Sequence, residues 1–416
     1  MSSFFQKPIQ KWVQLISLML ASSSIYMLPY MRKTFQTSME QVYQISSTEI
    51  GILNSMFGIL AIICYFPSGK LADMFSVKKL LIISLLSTGA GGLSMLFVNS
   101  FSSLLIIHAF WGISSILTFW SALIKATRYW GAIDEQGKGF GFLESGTGAV
   151  AAIIASIATY SFSVADDTES ALYNAILIYS LAPIIAAIMI YFSMEKASGQ
   201  NNTQKQEKTD NQPLKKILIN KKVWTLAIII FCSYTLYLGS FDLPAYAEKT
   251  FNVSKSNAAI IGTIRDWLRP VMALLAGILA DKFTSTKTIF GSFALLLISF
   301  GSIGLLNDSN TIYFFWLQLV GIASAVFALR GIYYALMEEL NLPISDTGKI
   351  VGFVSFVGYV PDIFVPFISG VFIDSGEGNQ GYTYFFLLLA SVALVGLLIT
   401  YYLIRHLSDK SQSVDK

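Results

Sequence analysis

Residues 262–270 read Gly-Thr-Ile-Arg-Asp-Trp-Leu-Arg-Pro, so Arg265, Asp266 and Arg269 interrupt an otherwise apolar stretch. A charge deep in a bilayer costs on the order of several kcal/mol and is kept for a task or a partner. The arginine fork suits bidentate binding of a carboxylate or phosphate. Spacing i, i+4 puts Arg265 and Arg269 on one helix face, and Pro270 removes a backbone donor just after them. Two cationic forks on one face are expected to hold an anionic group. The competing reading is a buried structural network, in which Asp266 and Asp362 neutralise the arginines.

Other polar residues lie at comparable depth in apolar segments. Arg32 and Asp242 occupy matching depths in two different segments and could pair across an outer gate, or Arg32 could be a ligand. Arg330 and Tyr237 are further ligand candidates. Asp242, Asp266 and Asp362 could balance charge or carry a coupling proton, and Glu144 and His108 are weaker candidates for the same work. A lone histidine is more often a packing residue, although it is the side chain that titrates near neutral pH. Tyr26, Tyr30, Trp120, Trp267, Tyr333 and Tyr359 could line a cavity beside these charges.

The elements that position them follow from composition. The 416 residues are 54% hydrophobic and only 13% charged, with mean hydropathy +0.61, whereas a soluble chain carries about 25% charged residues. The sequence is that of an integral membrane protein in contact with lipid. A net charge of +3 gives no reason to expect nucleic acid. Cys64 and Cys232 fall in apolar segments and suggest neither a disulfide nor a metal site. No phosphate-cradling Gly-rich loop with Lys and Ser/Thr is present, and no nucleophile–base pair stands out. A cofactor, a self-contained ATP-driven pump and an enzyme are therefore not expected. The first apolar run is too long for a signal-peptide core and is expected to be retained.

A spanning helix needs about 20 mostly apolar residues. Twelve such segments are expected, at about 12–36, 47–69, 79–98, 102–128, 139–163, 171–194, 222–247, 255–280, 286–306, 311–337, 348–373 and 380–404. The Gln/Asn/Lys-rich stretch 195–221 reads as a flexible linker between residues 1–194 and 222–416. Lysine and arginine concentrate in the termini, the linker and the even-numbered turns (Lys7, Lys70, Lys78, Lys138, Lys282, Lys349, Arg405). The odd-numbered turns lean acidic, with Asp166, Asp167, Asp308 and Asp374. That asymmetry places both termini and the linker in the cytoplasm. Lys125 and Arg128 read as ordinary members of the same bias.

The two halves repeat. Residues 69–81 (GKLADMFSVKKLL) and 277–289 (GILADKFTSTKTI) align without gaps 208 residues apart, and Ile45-Ser46 aligns with Val253-Ser254 in the same register. Gly-Ile-Ser-Ser at 112–115 aligns with Gly-Ile-Ala-Ser at 321–324 with an offset of 209. A duplicated six-helix unit in parallel orientation is a transporter architecture with its site near the midplane between the repeats. The Gly69–Lys79 segment resembles the loop signature of the major facilitator superfamily, matching at Gly69, Leu71, Ala72, Asp73 and Lys78 and departing at Met74, Ser76 and Val77. The second copy keeps Gly277, Leu279, Ala280 and Asp281. The resemblance implies a twelve-helix all-α fold in two pseudo-symmetric bundles. It also implies that Gly69, Asp73, Lys78, Gly277 and Asp281 belong to a cytoplasmic latch.

The fifth segment lacks the Gly-Pro signature of drug/proton antiporters. The chain after the sixth lacks the run typical of sugar porters, and the first lacks that of proton-coupled peptide transporters. His108 stands where many proton-coupled members have an arginine. Residues 30–35 (YMRKTF) resemble the first-helix region of organophosphate/phosphate antiporters, which implies a phosphate-contacting role for Arg32. Those proteins have a second arginine in the seventh helix, where this chain has Tyr237 and Asp242. The expectation is a monomeric secondary transporter in a bacterial inner membrane. It would move a small organic anion, carboxylate or organophosphate, by alternating access, coupled to a proton or a counter-anion. Arg32, Arg265, Arg269, Tyr237 and Arg330 are its candidate ligands. A carrier of zwitterionic amino acids or short peptides, and a non-transporting receptor on the same scaffold, stay open as alternatives.

Overall fold

A computed structural model describes residues 9–130, 136–194, 218–304, 312–343 and 347–414. Most of the expected linker, 195–217, lies outside these residues, as does Asp308. Every regular element among the described residues is a helix. The first half holds α1 (Ile9–Ser24), α2 (Arg32–Tyr43), α3 (Ser47–Met74), α4 (Val77–Met95), α5 (Phe101–Ser115), α6 (Ser121–Trp130), α7 (Gln136–Ser163) and α8 (Thr168–Ser193). The second holds α9 (Lys221–Gly239), α10 (Leu243–Phe251), α11 (Lys255–Phe283), α12 (Ser285–Ile303), α13 (Ile312–Ile332), α14 (Leu336–Glu339), α15 (Thr347–Gly358), α16 (Pro361–Ser375) and α17 (Gln380–Val414).

Ten stretches of the described residues are long and apolar enough to cross a bilayer. The two remaining expected spans fail for opposite reasons. The first is broken, with non-helical turns from Ile25 to Met31 separating α1 from α2. The other, α11, is unbroken over 29 residues but carries Arg265, Asp266 and Arg269.

Polar caps start the helices where the sequence turns. Ser46 accepts from the Glu49 N–H (3.1 Å) and Glu49 returns the bond to the Ser46 N–H (2.8 Å), a capping box. Asp167 caps α8; the backbone and hydroxyl of Ser170 bond its carboxylate and hold its pKa below the usual range. The repeat extends to these local devices. Ser76 and Thr284, 208 residues apart, accept from the Lys79 and Lys287 amides at 3.2 and 3.3 Å. Gln44 and Asn252, in the same register, both take the left-handed conformation at helix ends, with φ of 52° and 51°.

Several expected spans are interrupted at depth. A π-helical turn, Ile116–Trp120, joins α5 to α6. Single 3-10 turns, Ser240–Asp242 and Tyr333–Ala335, join α9 to α10 and α13 to α14. Irregular backbone inside a membrane is tolerated where protein or a water-filled cavity satisfies it.

Compactness groups the described chain into two units. The first comprises Met1–Gly199 with Phe241–Pro270 and Pro366–Asp374; the second comprises Gln200–Ser240, Val271–Val365 and Ser375–Lys416. The first therefore takes in α10, the leading half of α11 and most of α16 from the other sequence half. Its core includes Leu28, Phe35, Phe57, Trp111 and Tyr179, with Ala259 of α11 among them. Within it, Gly51 of α3 lies so close to α16 that a Cβ there would stand 2.4 Å from the Pro366 carbonyl oxygen. Gly370 would likewise meet the Ser47 carbonyl oxygen at 2.4 Å. The core of the second unit includes the stacked rings of Phe300 and Phe386, 5.9 Å apart.

Candidate functional site

The break before α2 turns consecutive residues of one short helix, Arg32 and Lys33, toward acids of the second sequence half. Arg32 Nη1 donates to Asp242 Oδ1 at 3.0 Å and to Gln36 Oε1 at 3.2 Å. Both charged side chains are buried, at 2% and 0% exposure. Lys33 donates to Asp266 Oδ2, and Arg265 Nη2 donates to Asp266 Oδ1 at 2.9 Å. The Phe241 ring receives both guanidiniums, with Arg265 Cζ 4.7 Å and Arg32 Cζ 5.7 Å from its centroid. All of these residues belong to the first compact unit. Breaking one such buried pair costs about 3–5 kcal/mol, because the remaining charge is stranded.

A second polar layer follows along α2. Thr37 donates to Glu248, Lys249 pairs with Glu40 at 3.0 Å, and Lys255 pairs with Glu248 at 3.1 Å. Ser47 donates to Glu40 at 2.6 Å. Glu40 and Ser47 stand in the repeat register of Glu248 and Lys255, so each half builds the same link between successive helices. Asp374 accepts from the Ser47 and Thr48 amides at 3.2 and 2.6 Å, joining the start of α3 to the end of α16. The sequence reading passed over Lys33, Glu40, Glu248, Lys249 and Lys255. The register that aligned the glycine loops also aligns Glu40 with Glu248, and that signal could have found them.

Arg265 and Arg269 part company despite their spacing. Arg265 is fully buried in the cluster around Phe241. Arg269 is 26% exposed and its Nη2 lies 3.4 Å from Oε2 of Glu144, itself 68% exposed. Its methylene stem passes Gly148 of α7. An exposed pair of this kind contributes roughly 0–1 kcal/mol and is easily exchanged for another anion. His108 is buried away from this chemistry. Its Nδ1 lies 2.9 Å from the Leu104 carbonyl oxygen and its ring meets Trp111 edge-on at 4.9 Å.

The second compact unit holds a different constellation. Arg330, near the end of α13, lies over the Tyr237 ring at 4.1 Å and the Tyr234 ring at 5.6 Å. The Tyr333 and Tyr359 hydroxyls lie 3.2 Å apart, and Tyr334 reaches Ser355 at 2.7 Å and Tyr359 at 3.4 Å. Tyr234 donates to Asp362 Oδ2 at 2.8 Å. Arg330 is half-buried. Among the described residues it has no carboxylate within salt-bridge distance, unlike Arg32, Arg265 and Arg269. In the sequence Arg330, Tyr237 and Asp362 were separate candidates, and Tyr234 and Tyr334 were not singled out. The 3-10 turn after α13 brings Tyr333 and Tyr334 into the group.

The two glycine loops leave room around their first residues. A Cβ on Gly69 or Gly277 would meet nothing within 4 Å. Asp73, 79% exposed, pairs with Lys125 at 3.0 Å. Lys78 donates to the Tyr191 and Met194 carbonyls at the end of α8, and Asp281 is exposed.

With this geometry in hand, comparison with known proteins is decisive for the family. A family model described as Major Facilitator Superfamily matches residues 12–361. The chain belongs to the Major Facilitator Superfamily. It is 28% identical over 401 residues to the inner membrane protein YqcE of Escherichia coli, covering 94% of each chain. It is 24% identical over 386 residues to the hexuronate transporter of Bacillus subtilis, covering 88% of each. Among solved structures it matches a bacterial homologue of the human lysosomal transporter Spinster with a TM-score of 0.77 at 12% identity, covering 97% of this chain and 98% of that one. This superfamily member is therefore an all-α, multi-pass membrane transporter with the twelve-helix fold and not an enzyme. Its partners are the lipid bilayer and a small-molecule substrate.

Proposed function

We propose that this superfamily member is a secondary transporter that moves a small organic anion by alternating access, with Arg330 holding the anionic group. The observation that carries the reading is the state of Arg330. It is a half-buried arginine in the last turn of α13, oriented by the Tyr234 and Tyr237 rings, and without a carboxylate partner among the described residues. Its charge calls for an anion, and its neighbours supply hydroxyls and flat apolar faces on which a carbon skeleton can lie. The hexuronate transporter among its relatives carries, by its name, a carboxylate.

The Arg32–Asp242 and Lys33–Asp266–Arg265 pairs then serve as a closed outer gate. Arg269, loosely paired with Glu144, is the other candidate for the anionic group. Asp242 or Asp266 balances charge or carries a coupling proton, a counter-anion being the other coupling option. The protein works as a monomer in a bacterial inner membrane, as the name of the YqcE relative suggests, with both termini cytoplasmic, as the distribution of lysine and arginine suggests. A zwitterionic substrate is the second reading. It is favoured by Asp362, which shares Tyr234 with Arg330 and could receive an amine.

Proteoliposome uptake separates the readings. A hexuronate or a sugar phosphate should compete for the carrier, and amino acids and dipeptides should not. Competition by amino acids alone would establish the zwitterion carrier. Binding without any uptake would establish a receptor.

A further inference from the structure

The internal repeat supplies a comparison within the chain itself. In the first half, α3 lies closely against α5 and α6. A Cβ on Gly112 would stand 2.6 Å from the Phe57 carbonyl oxygen, and Ser68 bonds Ser121 at 2.7 Å. Leu80, Ile116 and Phe119 of the same region are buried in the cores of this half, each no more than 5% exposed. In repeat register, the second half has Thr288, Ala325 and Ala328 at these positions, Gly291 in place of Ile83, and Ala276 and Arg330 in place of Ser68 and Ser121. The filling side chains and the polar tie are both gone.

A groove of about 400 Å³ takes their place, between the trailing half of α11 and the helices α12 and α13. Met272, Leu275, Leu279, Phe283 and Leu295 form its apolar walls, and Gly291, Ala325 and Ala328 its floor. Leu279, Phe283 and Leu295 are 40–50% exposed, and the neighbouring apolar Leu274, Ile278 and Ile298 are 55–66% exposed, so the groove is open along an apolar face of membrane-spanning helices. One end of it is cationic. Lys287 lines the groove beside Thr288 and Ser292, and its amine has no hydrogen-bond partner among the described residues. Lys282 lies over the ring of Phe283, 5.3 Å from its centroid. Of the acids at this end, Glu339 is engaged by the Ser285 and Thr286 amides, and Asp281 is exposed.

We infer that this groove is a binding site for an anionic phospholipid, with an acyl chain between α11 and α12 and the headgroup phosphate against Lys287. An open apolar slot on membrane-spanning helices that ends in lysines matches a lipid in both of its chemical parts. A soluble anion would use only the lysines, and a neutral lipid only the slot. The site is separate from the Arg330 constellation and does not depend on the substrate assigned above.

The test is native mass spectrometry of the purified full chain titrated with phosphatidylglycerol or with phosphatidylcholine. Wild-type protein should retain phosphatidylglycerol preferentially. Lys287→Ala should weaken that retention about fivefold, the effect of one lysine near a phosphate. Ala328→Phe, which restores the filling residue of the first half, should weaken retention of both lipids. Lys79→Ala, at the repeat-related position beside a filled groove, should change neither. Melting temperatures identify any variant that fails to fold, and Ala325→Leu is the second filling variant if Ala328→Phe does so. Equal retention of phosphatidylglycerol by wild type, Lys287→Ala and the folded filling variant would overturn the assignment. Equal loss with Lys79→Ala would overturn it too, since the attraction would then be general surface charge.

Discussion

Arg32 and Asp242 show how a pair of residues can be legible from depth alone. They lie in repeat-related helices at similar distance from the membrane surface, and the structure joins them at 3.0 Å. Lys33 was not legible in the same way. Whether it or a neighbour faces inward depends on the break at Ile25–Met31, which Pro29 marks in the sequence but whose geometry it does not set. The pairing gives a sharp expectation. Arg32→Ala and Asp242→Ala should each lower the melting temperature or transport severely, because each strands a buried charge. The double variant should recover part of the loss, with a coupling energy on the order of 1–3 kcal/mol in a double-mutant cycle. Strictly additive losses would separate the two residues and leave Arg32 free for a ligand role. For Arg265 and Arg269 the spacing did not show which partners they would find. Helical spacing put them on one face, but Asp266 and Phe241 hold the first while Glu144 meets the second.

At the scale of elements, hydropathy located the spans because twenty apolar residues have few other uses in a chain of this composition. It could not show where spans break. The π-helical turn at Ile116–Trp120 and the 3-10 turn at Tyr333–Ala335 are as apolar or aromatic as their flanks, and Pro29, Asp242 and Pro244 mark the other two breaks without lowering hydropathy enough to end a span. Tertiary contacts select these breaks, and they decide which faces Arg32, Asp242 and the tyrosines present. Close helix approach was half legible. The repeat singled out Gly69 and Gly277, where a Cβ would meet nothing within 4 Å, while Gly51 and Gly370, which no repeat marks, make the tight crossing of α3 and α16. Gly51→Leu should therefore force that crossing apart, since even a Cβ would fall 2.4 Å from a carbonyl oxygen. An overpacked contact of this kind costs about 1–3 kcal/mol. The measurement is the melting temperature in detergent beside the same substitution at Gly69, where there is room. Similar small shifts at both sites would contradict the packing described.

For the whole molecule, the sequence disclosed architecture more readily than substrate. Duplication, span count and the glycine loops pointed to the superfamily, which the match over residues 12–361 establishes. Substrate chemistry depends on a few side chains brought together from distant segments. Tyr237, Arg330, Tyr359 and Asp362 are up to 125 residues apart in the chain, and nothing in their spacing shows that they meet. The central claim is that Arg330 is the anchor of an organic anion. Calorimetric binding of a hexuronate and of a sugar phosphate to purified wild type, Arg330→Lys and Arg269→Ala tests it directly. Lysine keeps the charge but loses the planar fork. The account predicts binding of at least one of these anions to wild type, about tenfold or weaker affinity in Arg330→Lys, and near wild-type affinity in Arg269→Ala. Wild-type affinity in Arg330→Lys, with binding abolished in Arg269→Ala, would contradict it and return the site to α11.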